Sequence, residues 1–228
     1  MIEAEWLKTS DPSRLLQFVM TRHGPLNDQL RLQKLRIRDR KLRLYACACC
    51  RRFIDLLTDE RCRKALEVAE RYADGLAGQG EREAALMAAV PVFVRLTGRA
   101  SAAAQAACIT CLHDPAKAAD SIAGVSGTAA GATKADFRAF RCRLLRCLFG
   151  NPFRPLPAVD PSWLAWNGGT VAKLAQTIYE ERRFADLPIL ADALEEAGCA
   201  DATIMTHCRT QMEHVRGCWV VDLLTGRE

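Results

Sequence analysis

Between Asp39 and Leu57 apolar side chains recur at helical spacing over more than half of a helix's circumference. On a 3.6-residue wheel Leu42, Ala46, Cys49, Phe53 and Leu56 centre one face, and Cys47, Cys50 and Ile54 widen its shoulder. Arg40 and Arg51 fall opposite. A helix apolar over so wide an arc has to be surrounded by other elements. Any fold of this chain is therefore built around it.

The remaining sequence offers helices to do the surrounding. Asp11-Pro12 and Asp160-Pro161 each read as a capping residue followed by proline at the first helical position. Thr58-Asp59-Glu60 opens a helix with Thr58 as the cap, a core stripe of Cys62, Ala65, Ala69, Tyr72 and Leu76, and Gly78 as its stop. Phe137, Phe140, Leu144 and Leu148 make another stripe, as do Val171, Leu174, Ala175 and Ile178, and then Ile189, Leu190, Ala193, Leu194 and Ala197. Trp163 and Trp166 sit in a short turn closed by Asn167-Gly168-Gly169. Alternating strand patterns with Asn-Gly or Asp-Gly turns are missing.

The prediction is an all-α, irregular multi-helix bundle, a single domain over residues 1–228, with a Pro-rich connector around 150–161. Its N-terminal and C-terminal helices are expected to pack together. His23-Gly24-Pro25 is expected to stop the helix begun at Pro12. A shift to Gly, Ala, Ser and Thr predicts a flexible or variable segment at about 121–134. The apolar tail Cys218–Leu224 fits either a helix or a strand.

Charge is unevenly spread. Nine basic residues against Asp39 alone give Arg31–Arg52 a charge of +8, although the whole chain carries only +5. Glu180–Asp201 has seven acids against Arg182 and Arg183. Such polarity suggests that the two segments meet, with Glu195 and Glu196 answering Arg40 and Arg51, or that one binds an outside partner of opposite sign. As an exposed pair, Arg51 would contribute under ~1 kcal/mol.

The longest uncharged run, Ala100–His113, is 14 residues, short of the roughly 18–20 of a membrane span. The opening Met-Ile-Glu-Ala-Glu-Trp has no apolar leader pattern. These features predict a cytoplasmic protein away from membranes, and hence reduced thiols for most of its 11 cysteines. A free cysteine in an apolar stripe packs as a small hydrophobe.

Lys41-Leu42-Arg43-Leu44-Tyr45-Ala46-Cys47-Ala48-Cys49-Cys50-Arg51-Arg52, Val68–Leu76, Phe149-Gly150-Asn151-Pro152-Phe153-Arg154-Pro155, Leu187–Leu194 and His214-Val215-Arg216-Gly217-Cys218-Trp219 form a set of strings. With the acidic-Trp opening Ala4-Glu5-Trp6, they resemble a bacterial family abundant in planctomycete-type genomes, one without an assigned activity. The resemblance spans nearly the whole chain outside residues 80–135. It implies a helical cytoplasmic protein and carries over no catalytic residue.

Three chemistries are open to these residues. Cys47-x2-Cys50 is a potential zinc pair, and His207, Cys208, His214 and Cys218 crowd the other end of the sequence. The candidate metal set is Cys47, Cys50, His214 and Cys218, with zinc as the possible cofactor; Cys108-x2-Cys111-x-His113 is a second, lesser set. Arg36, Arg40, Arg43 and Arg51 are the candidate nucleic-acid contacts, because phosphate binding needs only clustered cations. Nucleophilic catalysis finds only Cys208 and His214 as a conceivable dyad, since no phosphate loop, nucleophile elbow or His-Glu-x2-His motif occurs. The composite expectation is a non-catalytic interaction or adaptor module with a protein partner. The alternatives are a nucleic-acid-associated protein and a zinc-stabilised module.

Overall fold

The computed structural model describes residues 1–21, 28–131 and 133–227. Of the described residues 76% are helical, far above the ~30–35% of an average domain. Twelve α-helices and two short 3-10 turns account for this, with no strand among the described residues. No helix among them is long and apolar enough to cross a membrane. Where the sequence suggests one domain, the chain folds into two compact units. One comprises residues 8–145 with Met1, the other residues 2–7 with 146–228.

The first unit contains α2 (Pro12–Thr21), α3 (Asp28–Arg51), α4 (Glu60–Ala73), α5 (Gln79–Arg95), α6 (Gly98–Thr110), α7 (Pro115–Ala130) and most of α8 (Lys134–Phe149). The expected stop at His23-Gly24-Pro25 lies outside the described residues. Helix α3 packs against α4, α6 and α7. Every residue from Lys41 to Cys50 is buried, and so is Phe53 at 4% exposure, although the helix gives way to a 3-10 turn at Ile54–Leu56.

Burial on all sides forces the cations of α3 to find partners inside the fold. Arg43, 3% exposed, donates to the carbonyl oxygens of Thr110 and Leu112 at 2.7 Å and of His113 at 2.9 Å. It thereby closes the C-terminal end of α6, where carbonyls lack helical partners and the dipole favours a cation. Burial lowers its pKa. Arg51 grips Glu70 with two bonds of 2.6 and 2.7 Å, and Arg40 pairs with Asp74 at 3.1 Å. The acids answering α3 thus come from α4 and its end. They are not Glu195 and Glu196: Glu195 pairs with Arg209. Glu70 and Asp74 are spaced i,i+4 on a helix beside α3, and this local match replaces the long-range one inferred from charge runs.

Two boundaries and one segment also differ from expectation. Asp59, rather than Thr58, caps α4 by accepting from Arg61 N, and hydrogen bonds with the Arg61 side chain and amide hold its carboxyl down at about 2. Gly75, at φ 73°, follows the end of α4 where Gly78 was expected to stop it. Residues 121–130, expected to be flexible, are helical. Asp114 caps α7 through Ala116 N and Lys117 N, Pro115 starts it, and Ala118, Ala119, Ile122 and Ala129 are buried. Small side chains here make a packing face, and α7 lies against α6 and α3.

The second unit contains α1 (Glu3–Lys8, through Leu7), the last turn of α8, α9 (Pro161–Glu181), α10 (Leu187–Glu196), α11 (Ala202–Arg209) and α12 (Trp219–Thr225). Asp160 caps α9 through Ser162 N, and non-helical backbone at Trp166–Gly169 divides it at the expected Asn-Gly-Gly turn. The connector over 150–160 is irregular, as its prolines require. The apolar tail resolves as a helix.

Trp6, fully buried, donates its indole N–H to the Gly150 carbonyl at 3.0 Å, and Arg146 donates to the Trp6 carbonyl. Glu3 accepts from Asn151 and Arg154. Gly150 follows α8 at φ 60°, and a Cβ there would meet the Trp219 ring at 3.3 Å. Both the backbone and the close approach require glycine.

Two stability outcomes follow from this packing. Arg51→Ala removes the bidentate partner of a carboxylate that is only 2% exposed. It should cost about 2–4 kcal/mol in urea unfolding, reduced from the fully buried case by the partial exposure of Arg51. Gly124 is helical and a Cβ there meets nothing within 4 Å. Gly124→Ala should therefore stabilise by about 0.4–1 kcal/mol in the same measurement; a loss would show that residues 121–130 are not helical.

Candidate metal centre

Four ligand-type side chains converge in the second unit: Cys147, His207, His214 and Cys218. One potential ligand atom from each lies within 4.8 Å of all the others. Cys147 comes from the last turn of α8 and His207 from α11, which Asp201 caps through Thr203 N and Ile204 N. His214 lies on the connection between α11 and α12, and Cys218 is the residue before α12. Gly217, at φ 88°, makes the turn into Cys218, whose amide donates to the Val215 carbonyl at 2.9 Å.

The internal distances are already close to those of a coordination sphere. Cys147 Sγ lies 3.6 Å from His214 Nδ1, His207 Nε2 lies 3.1 Å from Cys218 Sγ, and Cys218 Sγ lies 4.0 Å from His214 Nδ1. A tetrahedron with zinc–nitrogen and zinc–sulfur bonds of ordinary length separates its ligand atoms by roughly 3.3–3.8 Å. Closing the sphere therefore takes shifts of about 1 Å. Both sulfurs are fully buried, and the two imidazoles are half-buried with ring centroids 4.8 Å apart.

The two histidines differ in their outer partners. His214 Nε2 faces the Thr210 carbonyl at 3.4 Å, leaving Nδ1 turned toward both sulfurs. A ligating imidazole normally has this arrangement, with its far nitrogen donating to a carbonyl. His207 Nδ1 instead accepts from the Trp219 indole at 3.0 Å. A neutral His207 then carries its proton on Nε2, beside Cys218 Sγ. Ligation through Nε2 would move that proton to Nδ1, against the indole N–H.

Electrostatics favours an anionic sulfur at Cys218. Burial pushes its thiol up, but hydrogen bonds with Cys147, His207 and His214 outweigh burial. The result lies well below the ordinary thiol value. Elsewhere burial acts with little opposition, and it pushes Cys49 and Cys108 up to about 12 and Cys111 up to about 11. The thiols of Cys47, Cys50 and Cys208 are also driven up by burial. Cys218 is thus set apart among these buried thiols by its hydrogen bonds with Cys147 and two imidazoles.

The structure joins His214 and Cys218 as expected, but with Cys147 and His207 rather than with Cys47 and Cys50. Those two lie on α3 in the first unit, as buried core side chains. Cys108 and Cys111 are likewise buried at the end of α6, where Cys111 Sγ contacts the Ala65 carbonyl at 3.1 Å. Cys208 packs in the core of the second unit, and His214 faces the other two sulfurs instead. Of the candidate nucleic-acid contacts, Arg40, Arg43 and Arg51 are held by Asp74, backbone carbonyls and Glu70. Arg36 is exposed, on the rim of a cleft of about 600 Å³.

His207 has a signal in the sequence, since three of the four ligands, His207, His214 and Cys218, fall within twelve residues beside a glycine turn. Cys147 has none. It sits in a helical stripe between Arg143, Arg146 and Leu148, and only tertiary folding brings it to the others. No family model, curated protein or solved structure matches the chain.

All eleven cysteines are free and buried. A thiol reagent should label the folded protein slowly at every one of them, and all eleven rapidly once urea unfolds it. Fast labelling of three or more in the native state would contradict the burial described above.

Proposed function

We propose that the chain is a non-catalytic interaction module whose C-terminal unit is stapled by one zinc ion, bound by Cys147, His207, His214 and Cys218. The observation that carries this reading is the convergence of two sulfurs and two imidazoles from four separate positions of the fold. Two thiolates and two neutral imidazoles suit zinc, and four protein ligands fill a tetrahedron. With no coordination position left for a substrate, such a site holds structure instead of running a reaction. Engagement of Arg40, Arg43 and Arg51 within the first unit favours a protein partner over a nucleic acid.

Zinc would tie the last turn of α8 to α11, to the α11–α12 connection and to the start of α12. Its ligands must be deprotonated, so affinity falls as pH falls and binding releases protons. Trp219 is the natural reporter, because ligation at His207 Nε2 displaces the proton that lets Nδ1 accept the indole hydrogen bond.

The purified full chain should contain one equivalent of zinc by elemental analysis. Chelation should change the tryptophan fluorescence and lower the Tm by more than about 10 °C, the effect of losing a ligand held far above its Kd. His214→Ala and Cys218→Ala should each lose the metal, while Cys47→Ala and Cys208→Ala retain it. A chain that takes up no zinc, and whose Tm is unmoved by added zinc, would overturn the proposal.

A further inference from the structure

Helix α5 exposes an apolar face that its own sequence makes self-complementary. Gly80, Ala84, Met87, Pro91 and Val94 are all exposed, with Met87 and Val94 at 69%. Their spacing is four, three, four and three residues, the register of a coiled-coil seam. The opposite face, with Arg82, Ala89 and Val92 buried, packs into the first unit against α4 and α6. The helix thus buries one face and presents a second, apolar one to solvent. Scattered exposed apolar residues need no explanation, but a continuous seam marks a contact surface.

We propose that this seam joins two copies of the chain, with the α5 helices antiparallel about a two-fold axis near Met87. Charge placement selects this occupant. Glu81 and Glu83 lie at the N-terminal end of the seam and Arg95 at its C-terminal end, and all three are exposed. In an antiparallel pair about residue 88, Arg95 of one copy falls beside Glu81 of the other, and the match occurs twice. Glu81 also engages Arg71, through Oε1, so its second carboxylate oxygen would take the Arg95 of the other copy. Among the described residues Arg95 takes part in no ion pair. A parallel pair would set Arg95 against Arg95 and Glu81 against Glu81.

A seventeen-residue helix is about 25 Å long. One such helix pair sits at the low end of specific interfaces, below ~1,200 Å² in total, so the dimer should be weak and reversible. The surface is independent of the zinc reading, since every residue involved belongs to the first unit.

Sedimentation equilibrium of the full chain over about 1 µM to 1 mM should show a monomer–dimer equilibrium. Met87→Lys places two ammonium groups together at the axis and should raise the dissociation constant roughly a hundredfold. An unchanged circular dichroism spectrum would show that the exposed substitution leaves the fold intact. Arg95→Glu should weaken the dimer, and adding Glu81→Arg to it should restore association. A chain that stays monomeric throughout leaves the seam to a different protein and overturns the proposal. A dimer indifferent to Met87→Lys, or a double variant that fails to recover, overturns it as well.

Discussion

A cation with no water around it must be answered by the protein, and α3 carries its cations into the middle of the first unit. Arg43 meets this demand by filling the unpaired carbonyls at the end of α6, and the half-buried Arg51 in turn answers the buried carboxylate of Glu70 on α4. Each partner comes from a different helix packed on α3, so the charges fix the position of α4 and α6 along it. Apolar burial alone would allow these helices to slide, because Ala, Cys and Leu surfaces are similar at successive turns. A guanidinium bonded to three particular carbonyls accepts one register only.

The C-terminal unit reaches order by another route. Its helices are short: α10 has ten residues, α11 eight and α12 seven. Isolated helices of such length are marginal in water. Aromatic anchoring and the thiol–imidazole cluster supply what helix length does not, with Trp219 touching both. Its ring packs on Gly150 and its indole N–H reaches His207. Gly150 also receives the Trp6 indole. One residue without a side chain therefore sits between two tryptophans, and a metal at the cluster would bear on the same contact.

Local signals in the sequence translate well into structure. Asp-Pro starts begin α2 and α9, the Asn-Gly-Gly turn divides α9, and the stripe through Leu42, Cys49 and Phe53 is buried. Each depends on neighbours within a few residues. Partnerships across the fold are harder to read. Runs of charge suggest residues 180–201 as the answer to α3, whereas two carboxylates at the next helix provide it. Small residues at 121–130 suggest a loop, because composition does not tell a tight packing face from a flexible linker. In the ligand cluster His214 and Cys218 are legible from their density in the sequence. Cys147 is not, for a cysteine in an apolar stripe looks the same whether it faces a leucine or an imidazole.

The second unit is made of two pieces of sequence. Trp6 and the carbonyl that receives it, on Gly150, are 144 residues apart, and residues 8–145 of the first unit lie between them. During synthesis residues 2–7 leave the ribosome well before anything they will pack against. At roughly 5–20 residues per second the delay is on the order of ten seconds. Through that interval the first unit can fold while the tryptophan segment waits in water. A segment made before the first unit is thus buried only after it, and the ribosome's pace sets how long an apolar ring stays open to chaperones.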